Sequence, residues 1–171
     1  MSYFMVDVES DGPIPGDYSM ISVGCVLVEQ PLKRTFTAKL KPISEHYKAE
    51  ALAVSGMTRE ETLLGEDPKE VMTRLAAWIG QNADGRPIFV SDNNGYDWMF
   101  TCWYFQHFLG TNPFGFSSVN LGSLYKGMVK SMAKSFKHLR TTAHTHDPLD
   151  DAIGNAEAFL RMIHELGLQV E

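Results

Sequence analysis

The segment "MVDVESDGP", residues 5–13, places Asp7 and Glu9 two positions apart at the end of an apolar run. On a strand, residues i and i+2 leave the same face of the sheet. Two carboxylates held that close repel each other unless a cation lies between them. Their hard oxygens suit Mg²⁺ or Mn²⁺ rather than zinc. On this pair alone, the plainer reading, a strand end turned to water, is the stronger one.

Other acids change the balance. Asp97 is the one charge among the core-formers of "YDWMFTCWYF". It opens a helix just after the buried strand "RPIFVSD". A first-turn acid can simply compensate the helix dipole, but an acid among such neighbours points at something other than bulk water. In "HTHDPLDDAIGNAEAFLRMI", Asp147 can cap a helix, Pro148 takes its first position and Asp150 its third. Ala152, Ile153, Ala156, Phe159, Leu160 and Ile163 mark the buried face. Asp151 lies beside that face, and His146 stands on the loop five residues before it. Four carboxylates from three elements and one histidine fit a two-metal phosphodiesterase. In such a site one ion activates water and the other stabilises the departing oxygen. An imidazole, which titrates near neutrality, suits the role of general base.

The elements that must carry these residues follow from periodicity and punctuation. Residues 2–8, 20–29 and 34–41 read as strands with short connections, an antiparallel meander. Asp67, Pro68 and Glu70 read as a capping box opening a helix with Val71, Leu75, Trp78 and Ile79 on one face. A strand at 86–92 leads into an aromatic-rich helix, and further helices cover roughly 120–134 and 148–166. The order predicts an α/β fold: a mixed sheet with the antiparallel meander first, then parallel strands, flanked by helices.

Length and composition agree with one domain over 1–171. A chain of 171 residues can bury a sizeable core. No apolar run reaches the ~20 residues needed to cross a bilayer, so no membrane association is expected. No basic segment precedes an apolar stretch at the N-terminus, so no signal peptide is expected. Cys25 and Cys102 form no CxxC pair and read as buried, reduced thiols, which favours the cytoplasm. The net charge of −6 argues against a nucleic-acid partner when taken alone, but bound cations would remove the repulsion. The charge is also uneven: "YKGMVKSMAKSFKHLR", residues 125–140, holds Lys126, Lys130, Lys134, Lys137 and Arg140 and no acid. Lys126, Lys130 and Lys134 are four apart and would share one helix face. That face is either solvated or a track for a phosphate backbone.

The order DxE, then Asp after an asparagine-containing loop, then HxxxxD resembles the DEDDh branch of the DnaQ-like, RNase T-type 3′–5′ exonucleases. "VDVESDG", "NNGYDWMF" and "HDPLDDA" resemble its three motifs, and the match spans nearly the whole chain. The resemblance implies an RNase H-like fold with a five-stranded sheet. It implies two Mg²⁺ (or Mn²⁺) ions held by Asp7, Glu9, Asp97 and Asp151, and His146 as catalytic base. The implied partner is single-stranded RNA or DNA with a free 3′ end, cut to 5′-mononucleotides, with RNA slightly favoured. A homodimer is a further implication. Ser10, Met57 (in "VSGMT"), Asn93 and Tyr96 fall where the family meets its substrate. Asp11 departs from the pattern and would either crowd a phosphate or turn away on its loop. Two other readings stay open: a catalytically silent nucleic-acid- or partner-binding module on the same fold, and an endonuclease.

Overall fold

The near-continuous apolar stretch Met20–Leu27 forms the most deeply buried strand of the computed structural model, which describes residues 1–170. It lies between β1 (Ser2–Ser10) and β3 (Thr35–Lys39), antiparallel to both. We call it β2. Strands β4 (Pro87–Ser91) and β5 (Ser118–Asn120) extend the sheet beyond β1 in parallel, giving the order β3-β2-β1-β4-β5. The mixed five-stranded sheet is the architecture expected from the sequence.

Alternation along β1 sorts its side chains. Phe4, Val6 and Val8 enter one core with residues of α3 (Pro68–Asn82) and α4 (Asn94–Leu109). Met5 enters the opposite core, built with α5 (Leu121–Met128) and α6 (Pro148–Leu166). Asp7 and Glu9 share the parity of Met5 and therefore face the α6 side.

Helix α6 rests on the sheet at Gly24, the residue paired with Asp7 across β1 and β2. A Cβ on Gly24 would lie 2.3 Å from the Pro148 backbone, so only glycine admits this approach. Helix α6 begins and ends where its sequence says. Asp147 accepts from the Leu149 and Asp150 amides, Pro148 holds the first position, and Gly167 closes the last turn at φ 73°.

Elsewhere the chain departs from expectation. Two short helices, α1 (Ala49–Ser55) and α2 (Arg59–Thr62), occupy a stretch with no strong period. The reciprocal capping box forms at Thr58 and Glu61. Asp67 accepts from the Glu70 amide without a return bond among the described residues. The helix expected over 120–134 stops at Met128. Lys130 takes a left-handed φ of 52°, with the Ser131 amide donating to Lys126 O and the Lys130 amide to Gly127 O. This is a Schellman-type stop, and it dissolves the expected lysine stripe, because Lys130 and Lys134 lie past the helix end. Of the two thiols, Cys25 is buried and Cys102 only half-buried. No described helix is long and apolar enough to cross a membrane.

Candidate active site

The parity of β1 and the seat of α6 on Gly24 bring three of the four expected ligands together. Asp7, Glu9 and Asp151 present oxygens that all lie within 4.8 Å of one another. Asp97 stands behind them in the first turn of α4. Its Oδ1 accepts from the Val8 amide at 3.4 Å, and its Oδ2 is buried with no hydrogen-bond partner. It is outside the 4.8 Å group, but its charge reaches Asp7.

Burial, then the charges of Asp97, Glu9, Asp151 and Asp92, hold the Asp7 carboxyl well above the usual range. Burial, then Asp151 and Asp147, pushes Glu9 up to about 7. Burial carries Asp97 up to about 8 against the opposing pull of Ser91 and the Val8 amide, with Asp92 and Glu9 adding to the rise. Asp92, a loop residue on the sequence reading, is thus a fifth acid at the edge of the cluster.

Asp151 is in the opposite condition. Burial would raise it, but hydrogen bonds from Arg140 and His144 overcome that and hold it below the usual range. Arg140 Nη2 lies 2.8 Å from Oδ1, and the Thr145 amide donates to the same oxygen. His144 Nδ1 lies 2.7 Å from Oδ2, which also accepts from the His146 amide. The Arg140 guanidinium lies across Gly154, where a Cβ would sit 2.5 Å from Nε, and reaches Asn155 Oδ1 and the carbonyls of Thr142 and Ala143. Glu157 accepts from the Thr141 and Thr142 amides. The loop from 140 to 146 is therefore clipped to α6 along its length.

His146 sits at the end of that loop with φ 60°. Its side chain is 43 % exposed, and Nδ1 lies 3.8 Å from Glu9 Oε1. The His144 ring meets it edge-on at 4.2 Å. The sequence reading missed Arg140 and His144 as site residues. The only signal for His144 was its place two residues before His146.

No family model matches the chain. The chain is 37 % identical over 174 residues to the 3′–5′ DNA exonuclease Cap18 of Escherichia coli, an alignment that covers 96 % of this chain and 92 % of the relative. This chain belongs to the DEDDh-type 3′–5′ exonucleases. Solved structures agree on the fold. The nuclease domain of 3′hExo, a DEDDh family member bound to rAMP, superposes with a TM-score of 0.80 at 17 % identity over 99 % of this chain and 96 % of that one. Exonuclease I of E. coli in complex with a dT13 oligonucleotide superposes with a TM-score of 0.73 at 15 % identity, and the match spans 94 % of this chain but 41 % of that one.

The residues expected to meet substrate in this DEDDh exonuclease stand at the end of β1, at the start of α4 and just after α1. Ser10 is buried, and its hydroxyl contacts the Tyr96 hydroxyl. Asn93 is exposed ahead of α4, and its carbonyl takes the Tyr96 and Asp97 amides. Met57 lines a small cavity of about 160 Å³ together with His146, Thr37 and Lys39. Asp11 turns away from the acids. It is fully buried, accepts from the Ser19 amide at 2.6 Å and pairs with Arg59 at 2.8 Å. Arg59 also holds Ser44 O, so this pair fastens the segment carrying Met57 to the end of β1.

Proposed function

We propose that this exonuclease removes nucleotides one at a time from the 3′ end of single-stranded nucleic acid and releases 5′-mononucleotides. Asp7, Glu9, Asp97 and Asp151 would hold two Mg²⁺ or Mn²⁺ ions. The donor set supports this: all four are carboxylates, three converge, and the fourth keeps a buried oxygen with no partner. Divalent ions bound there would supply an activated water and charge stabilisation at the leaving oxygen.

The protein's own groups have separate tasks in this reading. His146, exposed beside Glu9, accepts the proton of the attacking water at an imidazole nitrogen. The clip from Arg140 through Thr145 to Asp151 fixes the loop on which His146 stands. Ser10, with its hydroxyl engaged by Tyr96, offers backbone to the scissile phosphate. Met57 packs against the terminal base, and Asn93 and Tyr96 line the other side.

The convergence of Asp7, Glu9 and Asp151 carries the proposal. Family resemblance leaned toward RNA, but the 37 % identical relative is named for DNA, which moves the weight to DNA. A gel time course on 5′-labelled DNA and RNA oligonucleotides, with Mg²⁺, Mn²⁺ or EDTA and beside Asp7→Asn, tests all of this. The expected result is a ladder descending by single nucleotides, faster on DNA and absent in EDTA and in the variant. A faster RNA ladder would restore the first leaning. Intact substrate in every metal lane would favour the silent binding module.

A further inference from the structure

The early stop of α5 creates a feature of its own. After the left-handed turn at Lys130, the chain folds back until Phe136 is buried in the core beside α5. The reversal leaves a cleft of about 220 Å³ lined by Lys126, Lys134 and Lys137, with Phe136 and Gly122 also in its wall. None of the three ammonium groups forms an ion pair or hydrogen bond among the described residues, in a chain whose net charge is −6. Met132, 81 % exposed, stands at the rim.

The cleft opens at one end on Asp92. Asp92 directly follows β4, the sheet neighbour of the strand that carries Asp7 and Glu9, and stands five residues before Asp97, so the cleft and the acid cluster share a border. Both sit at the edge where the parallel strands β1, β4 and β5 end. Asn120 ties Asp92 to α5, since its side chain donates to Asp92 O and accepts from the Ser123 amide in the first turn of that helix.

We propose that this cleft binds the phosphates of the substrate strand leading away from the scissile nucleotide, with Met132 offering an apolar surface to a base. The inference rests on the exonuclease reading and adds a second site to it. Unpaired ammonium groups at a locally basic cleft attract a polyanion. An exposed methionine beside them suits a nucleotide rather than a bare anion. An acidic protein segment would find the same charges but no use for the border with the acid cluster.

The test is fluorescence anisotropy of a labelled 20-mer, with calcium replacing magnesium, over a range of salt. Lys126→Gln/Lys134→Gln/Lys137→Gln should bind about tenfold more weakly, and its salt slope should fall by about 2, the value for three lost phosphate contacts on a single strand. Lys69→Gln, an exposed lysine on α3, serves as the charge control. In turnover, the triple variant should lose more on the 20-mer than on a dinucleotide. Affinity and slope equal to wild type, or a loss matched by Lys69→Gln, would overturn the proposal. If wild type cuts nothing while the triple variant still loses affinity and slope, the cleft stands and the exonuclease reading falls. A matched melting temperature confirms that the variant folds.

Discussion

Asp97 and Asp151 occupy equivalent places and live in opposite states. Each is an acid in the first turn of a helix, and each is almost fully buried, at 2 % and 1 % exposure. Asp97 keeps an oxygen without a partner and is pushed up to about 8. Asp151 accepts four hydrogen bonds and is held below its usual range. Burial pushes both carboxyls up, and exposure alone does not separate them. Partners do. The acids of β1 and α4 are held in mutual repulsion that a proton or a cation relieves, while Asp151 has its partners without either.

The sharpest way to break this contrast is to neutralise one acid on the unsatisfied side. Asp97→Asn should abolish cleavage and raise the melting temperature of the metal-free protein, since it removes repulsion at no cost in volume. A lower melting temperature in calorimetry would show that Asp97 is a structural partner instead. The next largest effect belongs to the satisfied side. Arg140→Ala should destabilise the fold by about 3 kcal/mol in urea unfolding, because it takes from the buried Asp151 carboxylate its permanently charged partner. An unchanged midpoint would mean that the clip contributes nothing.

The contrast also predicts a sign in pH. For Asp7, Glu9 and Asp97 the folded pKa lies above the unfolded one, so their contribution is fully present below the ordinary carboxylate range and lost as pH rises through the folded values. The window read from Glu9 and Asp97 closes at about 7 to 8. Metal-free protein should therefore melt at lower temperature at pH 8 than at pH 5, and Mg²⁺ should restore more stability at the higher pH. Asp151 works the other way, its contribution being lost only as pH falls below the ordinary range. A metal-free melting temperature that rises between pH 5 and 8 would contradict the scheme. The smallest effect is expected at His144→Gln. The imidazole is 48 % exposed, so losing its bond to Asp151 should cost under about 1 kcal/mol. A loss as large as that of Arg140→Ala would make His144 an equal member of the clip.

Much of this arrangement is legible in the sequence because it rests on local rules. Asp147-Pro148 at one end and Gly167 at the other fix α6, and strict alternation fixes which way Asp7 and Glu9 face. Asp97 declared itself as a lone charge among aromatics. What stayed hidden depends on contacts distant in sequence or on unfavourable local conformations. Strand β5 has three residues, too few to show a period. The end of α5 needs a lysine in a left-handed turn, so a periodic reading runs straight past it. Arg140 looked like one more member of a basic run, and only the bare surface of Gly154 lets its guanidinium lie on α6.

Gly24 acts as a gauge for the whole centre. Helix and sheet meet there backbone to backbone, with no side chain between them whose rotamer could lengthen or shorten the gap. The span from the strand acids to the helix acid is thus set by the least compressible contact a protein has. Substitutions that soften the two hydrophobic cores can shift many side chains before they alter that span. The centre's tolerance is concentrated at one position, where a single added methyl group would lift the helix and part the carboxylates.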